Sequence, residues 1–149
     1  MKNRPNIRIK QLSFWNVWLW MAYLVIRCRV YVGEFKRPLF REYSSLDLGA
    51  DHFVLLKGNK VIGIARIIYK QEMVEFGRIA IRPSSRGQGY GKTFIDLLIS
   101  EVKDRDKVRI ISLFAADHRL VKFYRHFDFL ENGEVYFGML PFMNMIKFL

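Results

Sequence analysis

RPSSRGQGYGKT, residues 82–93, sets three glycines between basic residues and runs directly into FIDLLISEV, where Phe94, Leu97, Leu98 and Val102 recur at helical spacing. A glycine loop that feeds a helix N-terminus is a general anion site. The first amide hydrogens of the helix lack partners, and its dipole favours negative charge. Three ligands compete for such a loop: a nucleotide phosphate, a dinucleotide, and the pyrophosphate of coenzyme A. The nucleotide P-loop, G-x-x-x-x-G-K-[ST], finds its second half in Gly91-Lys92-Thr93, but its first glycine falls on Arg86. The dinucleotide fingerprint G-x-G-x-x-G, started at Gly87, needs glycine where Lys92 stands. What remains is R-x-x-G-x-G, carried by Arg86, Gly89 and Gly91.

The surrounding pattern places this loop between a strand and a helix. MVEFGRIAI, residues 73–81, reads as a strand with Pro83 at its exit, and HFVLLK and VIGIARIIYK flank Gly58-Asn59 as a hairpin. NIRIK at 6–10 alternates as a short edge strand. Ser13 is the expected N-cap of a first helix that runs to about Tyr31 and ends at Gly33. Phe35 to Asp51 suits a loop or short helix flanking a pocket. VRIISLF at 108–114 is a buried strand and LVKFYRHF at 120–127 a short helix, and two strands around Pro141 close the chain. The order β-α-ββ-β-α-β-α-ββ predicts an α/β (α+β) fold, one sheet with helices on both faces. Without an internal repeat or dividing linker, residues 1–149 are expected to form a single domain.

Composition narrows the partners. Hydrophobic residues make up 51% and aromatics 15% of the 149, which argues for a ring-rich core and against disorder. A formal charge of +11 suits a polyanionic partner, whether nucleic acid, an anionic membrane or a phosphorylated cofactor, ahead of a basic surface that only keeps the protein soluble. Cys28 is the sole cysteine, so an intrachain disulfide and a cysteine zinc cluster are excluded, and a reducing, cytoplasmic compartment is expected. His52, His118 and His126 have no metal-ligand spacing, and no metal is expected. Lys2, Arg4, Arg8 and Lys10 precede an uncharged run from Leu12 to Ile26. That run falls short of the ~20 residues of a membrane span. RCRVYVGEF follows it where a cleavage site would stand, so it reads as a core or homodimer helix and not as an export signal.

The glycine loop follows Ile79-Ala80-Ile81-Arg82-Pro83, and FYRHFDF at 123–129 lies one helix and one strand downstream. Together they resemble the GNAT acetyltransferase superfamily, whose loop has the form [RQ]-x-x-G-x-[GA] after an apolar-x-apolar-x-Pro strand and whose later motif is F-Y-x-x-x-G-F. The resemblance spans about residues 6–148. Asp128 replaces the glycine before Phe129, a substitution aspartate tolerates in the left-handed region, and Asp117 replaces an amide that contacts the cofactor in many relatives. IRCRVYVGEF and REYSSLDLGADH are similar to a subgroup of small bacterial members with mostly unassigned acceptors, although Phe142 follows Pro141 where that subgroup usually has histidine.

The resemblance implies a mixed, mostly antiparallel sheet whose middle strands splay apart. It also implies transfer of an acetyl group from acetyl-CoA to a primary amine, by direct attack in a ternary complex. The acceptor would be a small-molecule or peptide amine. Backbone amides through Gly87, Gln88, Gly89, Tyr90 and Gly91, with Arg86 and Lys92, would hold the pyrophosphate. The backbone of Ile79, Ala80 and Ile81 would pair with the pantetheine arm and face the thioester oxygen. Tyr124 is the expected general acid, and Glu75, sharing facing parity with Gly77, Ile79 and Ile81, the expected base, with Glu34, Glu42, Asp47 and His52 as rivals. The first helix, with Trp15, Trp18 and Trp20, is expected to wall the acceptor pocket. Two non-catalytic readings stand beside this one: an acetyl-CoA-binding sensor and a basic nucleic-acid module, the latter without a recognised motif.

Overall fold

Apolar side chains occupy both parities of the two strands that flank Gly58-Asn59, the pattern of strands covered on two faces. Phe53, Leu55, Ala65 and Ile67 belong to one buried cluster, and Val54, Leu56, Val61 and Ile64 to another. A computed structural model describes residues 6–149 and places these strands second and third in a seven-stranded sheet. Lys2 and Arg4 lie outside the described residues.

The strands are β1 (Ile7–Gln11), β2 (Asp51–Lys57), β3 (Lys60–Lys70), β4 (Met73–Ile81), β5 (Ile110–Ala115), β6 (Leu130–Phe137) and β7 (Leu140–Phe148), in the spatial order β1-β2-β3-β4-β5-β7-β6. Every neighbouring pair is antiparallel except β4 and β5, which run parallel. A parallel pair needs a crossover, and α3 (Tyr90–Lys103) supplies it. α3 lays Phe94, Ile95, Leu98 and Val102 on one face of the sheet, where α4 (His118–Arg125) adds Val121 and Tyr124. Each such fully buried side chain contributes roughly 1.5–3 kcal/mol. The opposite face is covered by α1 (Val17–Arg27) through Tyr23 and Ile26. This is the mixed, mostly antiparallel sheet with helices on both faces that the motifs imply.

Two details of the first helix differ from expectation. It starts at Val17 with Asn16 as N-cap, whose side-chain oxygen makes no capping bond to the helix and accepts instead from the amide and hydroxyl of Ser13 at 3.0 and 2.7 Å. Nor does Gly33 end it. The backbone widens into a π-helical stretch over Cys28–Glu34, marked by the Phe35 amide bonding back to the Val30 carbonyl at 3.0 Å, and Gly33 lies inside that stretch. Single π turns of this kind cluster at functional sites. After it come α2 (Leu39–Glu42) and a 3₁₀ turn over Ser45–Asp47, within the stretch from 35 to 51 read as a loop or short helix.

Candidate active site

β4 and β5 pair over only three positions, Met73 with Ile110, Val74 with Ile111 and Glu75 with Ser112, and then diverge. From Phe76 to Ile81 the β5 side of β4 therefore carries no ladder partner, and a wedge opens in the middle of the sheet. Backbone groups along such an edge are obligatory hydrogen-bonding groups without a strand to satisfy them, a ready template for an extended, amide-bearing ligand.

The mouth of the wedge is the glycine loop. Gly87 and Gly89 sit at φ of 77° and 82°, a left-handed backbone that side chains with a Cβ adopt only at a cost of about 1–2 kcal/mol. Gly91 is helical; it is the neighbour of α4, since a Cβ there would stand 3.6 Å from the Phe123 ring. Gly89 caps α3 without any side-chain bond, so the first amides of the helix point outward uncapped. Cations surround them. Lys92 is exposed, Lys57 lies over the Tyr90 ring at 5.3 Å, and Lys57, Lys60 and Gln88 line an adjoining open depression of about 460 Å³. Arg86 is committed: its Nε donates to the Ile81 carbonyl at 3.1 Å and its Nη1 to Glu34 at 3.0 Å. Both partners of that ion pair are substantially exposed, so it is weak and exchangeable.

β4 is not regular where it lines the wedge. Arg66 faces Gly77 and Ile64 faces Ala80, so two residues of β4 lie opposite one of β3, a bulge with Arg78 at φ 51°. The extra residue corrects the expected parity. Glu75 and Gly77 share their face with Ala80, which packs beneath α1, whereas Ile79 and Ile81 turn to the α3 side. A left-handed arginine is strained and persists only where its surroundings over-determine it. Here three contacts do so: Arg78 Nε donates to Glu42 Oε1 at 2.8 Å, its guanidinium lies 5.4 Å from the Tyr31 ring centre, and Tyr31 Oη donates to the Ile79 carbonyl at 3.0 Å. Tyr31 comes from the π-helical stretch and stacks on Phe35.

Glu75 stands at the closed end of the wedge, its carboxylate 2.6 Å from Lys70 Nζ, with Ser112 beside it on β5. Ser112 Oγ accepts from Asn144, which accepts in turn from Asn132, a polar line on the α1 face of the sheet. Tyr124 enters from the other face, packed between Phe123 and Phe129. Burial pushes its phenol up to about 12, so it holds its proton throughout the neutral range. Burial likewise pushes the Tyr31 phenol well above its ordinary value.

The rival bases are occupied by structure. Glu42 is fully buried, and its Oε1 accepts from both Arg27 Nε and Arg78 Nε at 2.8 Å. Asp47 accepts from Arg27 at 2.8 and 3.2 Å, from Arg66 at 3.0 Å and from the Ser44 amide at 2.9 Å. Burial alone would raise its carboxyl, but the bonds from Arg27, Ser44 and Arg66 win and hold it well below the usual carboxylate range. His52 has both ring nitrogens engaged. The Asp47 carbonyl can only accept, so Nε2 carries the hydrogen at 2.8 Å, and Nδ1 accepts from Tyr23 Oη at 2.8 Å. Burial lowers the imidazole's pKa, in keeping with this neutral form. Trp20 packs on His52, whereas Trp15 and Trp18 are largely exposed to solvent. Asp117 caps α4, its Oδ1 accepting the Leu120 amide at 3.0 Å, and Asp128 adopts the left-handed backbone its glycine-like position demands, at φ 62°.

Sequence reasoning missed Arg27, Arg66, Arg78 and Tyr31. For the arginines a signal existed: each interrupts an apolar run, and a charge inside a buried element has to be paired. Tyr31 offered none, because its importance lies in a contact 48 residues away.

Comparison with known proteins bears on the family and the fold. The family model described as Acetyltransferase (GNAT) family matches residues 15–129. A UPF0039 protein of Schizosaccharomyces pombe is 26% identical over 114 residues, 75% of each chain. Among solved structures, an acyl-CoA N-acyltransferase from Pseudomonas aeruginosa superposes with a TM-score of 0.82 at 23% identity, covering 97% of this chain and 99% of the other. A GNAT family acetyltransferase from Elizabethkingia anophelis, with acetyl-CoA bound, superposes at 0.72 with 12% identity, covering 98% and 100%.

Proposed function

Since the chain belongs to the acetyltransferase (GNAT) family and is an acyltransferase by that membership, we propose that it moves the acetyl group of acetyl-CoA to a primary amine, on a small molecule or a peptide, within a ternary complex. The observation that carries this reading is the wedge between β4 and β5, with the uncapped, glycine-led N-terminus of α3 at its mouth. Those residues fit the cosubstrate. A diphosphate suits the outward amides from Gly87 to Gly91 and the charges of Lys92 and, once released from Glu34, Arg86. An amide-bearing arm suits the unpaired edge of β4 at Ile79, Ala80 and Ile81. Bound there, acetyl-CoA supplies an activated thioester.

The remaining chemistry falls to the chain's own side chains. Glu75, at the closed end of the wedge and on its α1 face, takes the proton the acceptor amine must lose, directly or through water along the Ser112 side. Tyr124 holds a proton at Oη and delivers it to the departing sulfur. The bulge turns the backbone at Ile79 and Ala80 toward the wedge, where an amide can meet the developing negative charge on the carbonyl oxygen. A single domain over residues 1–149, working in a reducing, cytoplasmic compartment, accords with the lone Cys28.

Calorimetry with acetyl-CoA, followed by thiol release over a panel of amines, tests the reading. Tyr124→Phe is expected to lower turnover about a hundredfold while leaving acetyl-CoA affinity nearly unchanged. Failure of the wild-type chain to bind acetyl-CoA removes the proposal, and unchanged turnover in the variant removes the role of Tyr124.

A further inference from the structure

α1 is apolar on two faces, and only one is used. Trp20, Tyr23, Ile26 and Val30 turn inward onto the sheet. On the other side Trp18 is 81% exposed and Met21, Leu24 and Val25 continue the stripe at helical spacing, while Trp15, in the turn just before the helix, is 83% exposed. Phe14 sets its ring edge-on against Trp15 at 5.4 Å, also in solvent. A contiguous stripe of this kind marks an interaction site, because water is a poor neighbour for so much ring surface.

The exposed charges that flank the stripe in the sequence, up to Arg29, are cationic. Ile7 and Ile9 of β1 pack into the α3-side core, so the alternating Arg8 and Lys10 project on the α1 face of the sheet. Arg29 is exposed one turn beyond Val25, and the first acidic residue of the chain is Glu34. A second apolar surface, on the hairpin of β6 and β7 at Tyr136, Phe137, Met139 and Leu140, lacks this rim: its own strand carries Glu131 and Glu134.

We propose that the outer face of α1 seats on an anionic lipid bilayer, with Trp15, Trp18, Met21 and Val25 at the boundary of headgroups and acyl chains and Arg8, Lys10 and Arg29 among the lipid phosphates. Tryptophan and arginine are interface side chains, and an apolar face with a cationic rim supplies the two signals that stable peripheral attachment requires. The attachment is peripheral: no described helix is long and apolar enough to cross a membrane. A second copy of the chain fits the face less well. Docking the stripe on itself would press two cationic rims together, on molecules that each carry +11. An RNA would use the cations and leave the apolar stripe wet.

The test uses the full chain with vesicles of phosphatidylcholine alone and of phosphatidylcholine mixed with phosphatidylglycerol, read by co-sedimentation and tryptophan emission. The anionic vesicles are expected to bind at least about tenfold tighter, with a blue-shifted emission that added salt reverses. Trp15→Ser with Trp18→Ser is expected to abolish both binding and shift. Neither ring belongs to either core, so far-UV circular dichroism should be unchanged. Arg8→Glu with Lys10→Glu is expected to weaken binding roughly tenfold or more while Trp15 and Trp18 remain in place. The proposal falls if the wild-type chain stays in the supernatant of anionic vesicles at low salt, or if both variants bind as the wild type does. It also falls if light scattering shows a dimer that the tryptophan variant dissociates, which would make the face a contact between copies.

Discussion

Replacing Glu42 with alanine removes the carboxylate on which two helices and the β4 bulge converge. Its Oε1 accepts from Arg27 and Arg78, each at 2.8 Å, inside a fully buried site. Taking one partner out of a buried ion pair costs about 3–5 kcal/mol, because the charge left behind stays desolvated. Arg27 is not wholly abandoned. It keeps Asp47 at 2.8 and 3.2 Å, and it keeps the backbone carbonyl of residue 42 at 2.7 Å, which survives the substitution. Arg78 loses the one carboxylate it touches, but it lies nearer solvent. The lower end of the range, about 3 kcal/mol, is therefore expected. In a chain of this length each kcal/mol moves Tm by about 2–4 °C, so Tm should fall by about 6–12 °C. Glu42→Gln retains one accepting oxygen and should lose about half as much. Thermal and urea unfolding followed by circular dichroism measure both variants. A Tm for Glu42→Ala within about 2 °C of the wild type, with an unchanged urea midpoint, would refute the view that this carboxylate locks α1, α2 and the bulge together.

Three further outcomes follow from the same geometry. Gly89→Ala places a Cβ at φ 82°, a strain of about 1–2 kcal/mol; relief of that strain should turn the cap amides away and raise KM for acetyl-CoA roughly tenfold with little change in kcat, as steady-state kinetics would show. Tyr31→Phe deletes the bond to the Ile79 carbonyl, and loss of about 1 kcal/mol of positioning should lower kcat several-fold at nearly constant KM; equal changes in both constants would argue for a merely structural role. Asp47 has a folded pKa below its unfolded value, so its contribution is present above about pH 4 and is lost as pH falls through the folded pKa; acid titration of stability should accordingly be shallower in Asp47→Asn than in the wild type.

The elements on which the site is built were legible because their signals are local. Gly87 and Gly89 are favoured by the sign of φ, Asp128 is tolerated under the same requirement, and the helix after the loop follows from the spacing of Phe94, Leu98 and Val102. A period of two or of 3.6 is written in neighbouring residues, and so are turns. The splay of β4 from β5 was legible only through resemblance, since no periodicity reports where two distant strands stop pairing.

What the tertiary structure decided is everything that depends on one extra residue or one distant partner. The bulge at Arg78 reversed the facing of Ile79 and Ile81, because alternation holds only while each strand advances one residue per partner. Glu42, Asp47 and His52 read in sequence as rival bases, equally well explained as surface charges or loop caps. Folding brings Arg27, Arg66, Arg78 and Tyr23 onto them, and only then are they structural. The run from Leu12 to Ile26 is apolar on all sides, so its pattern carries no preference for which face meets the core. Packing of Tyr23 and Ile26 against the sheet settled that, and left Trp15 and Trp18 facing out.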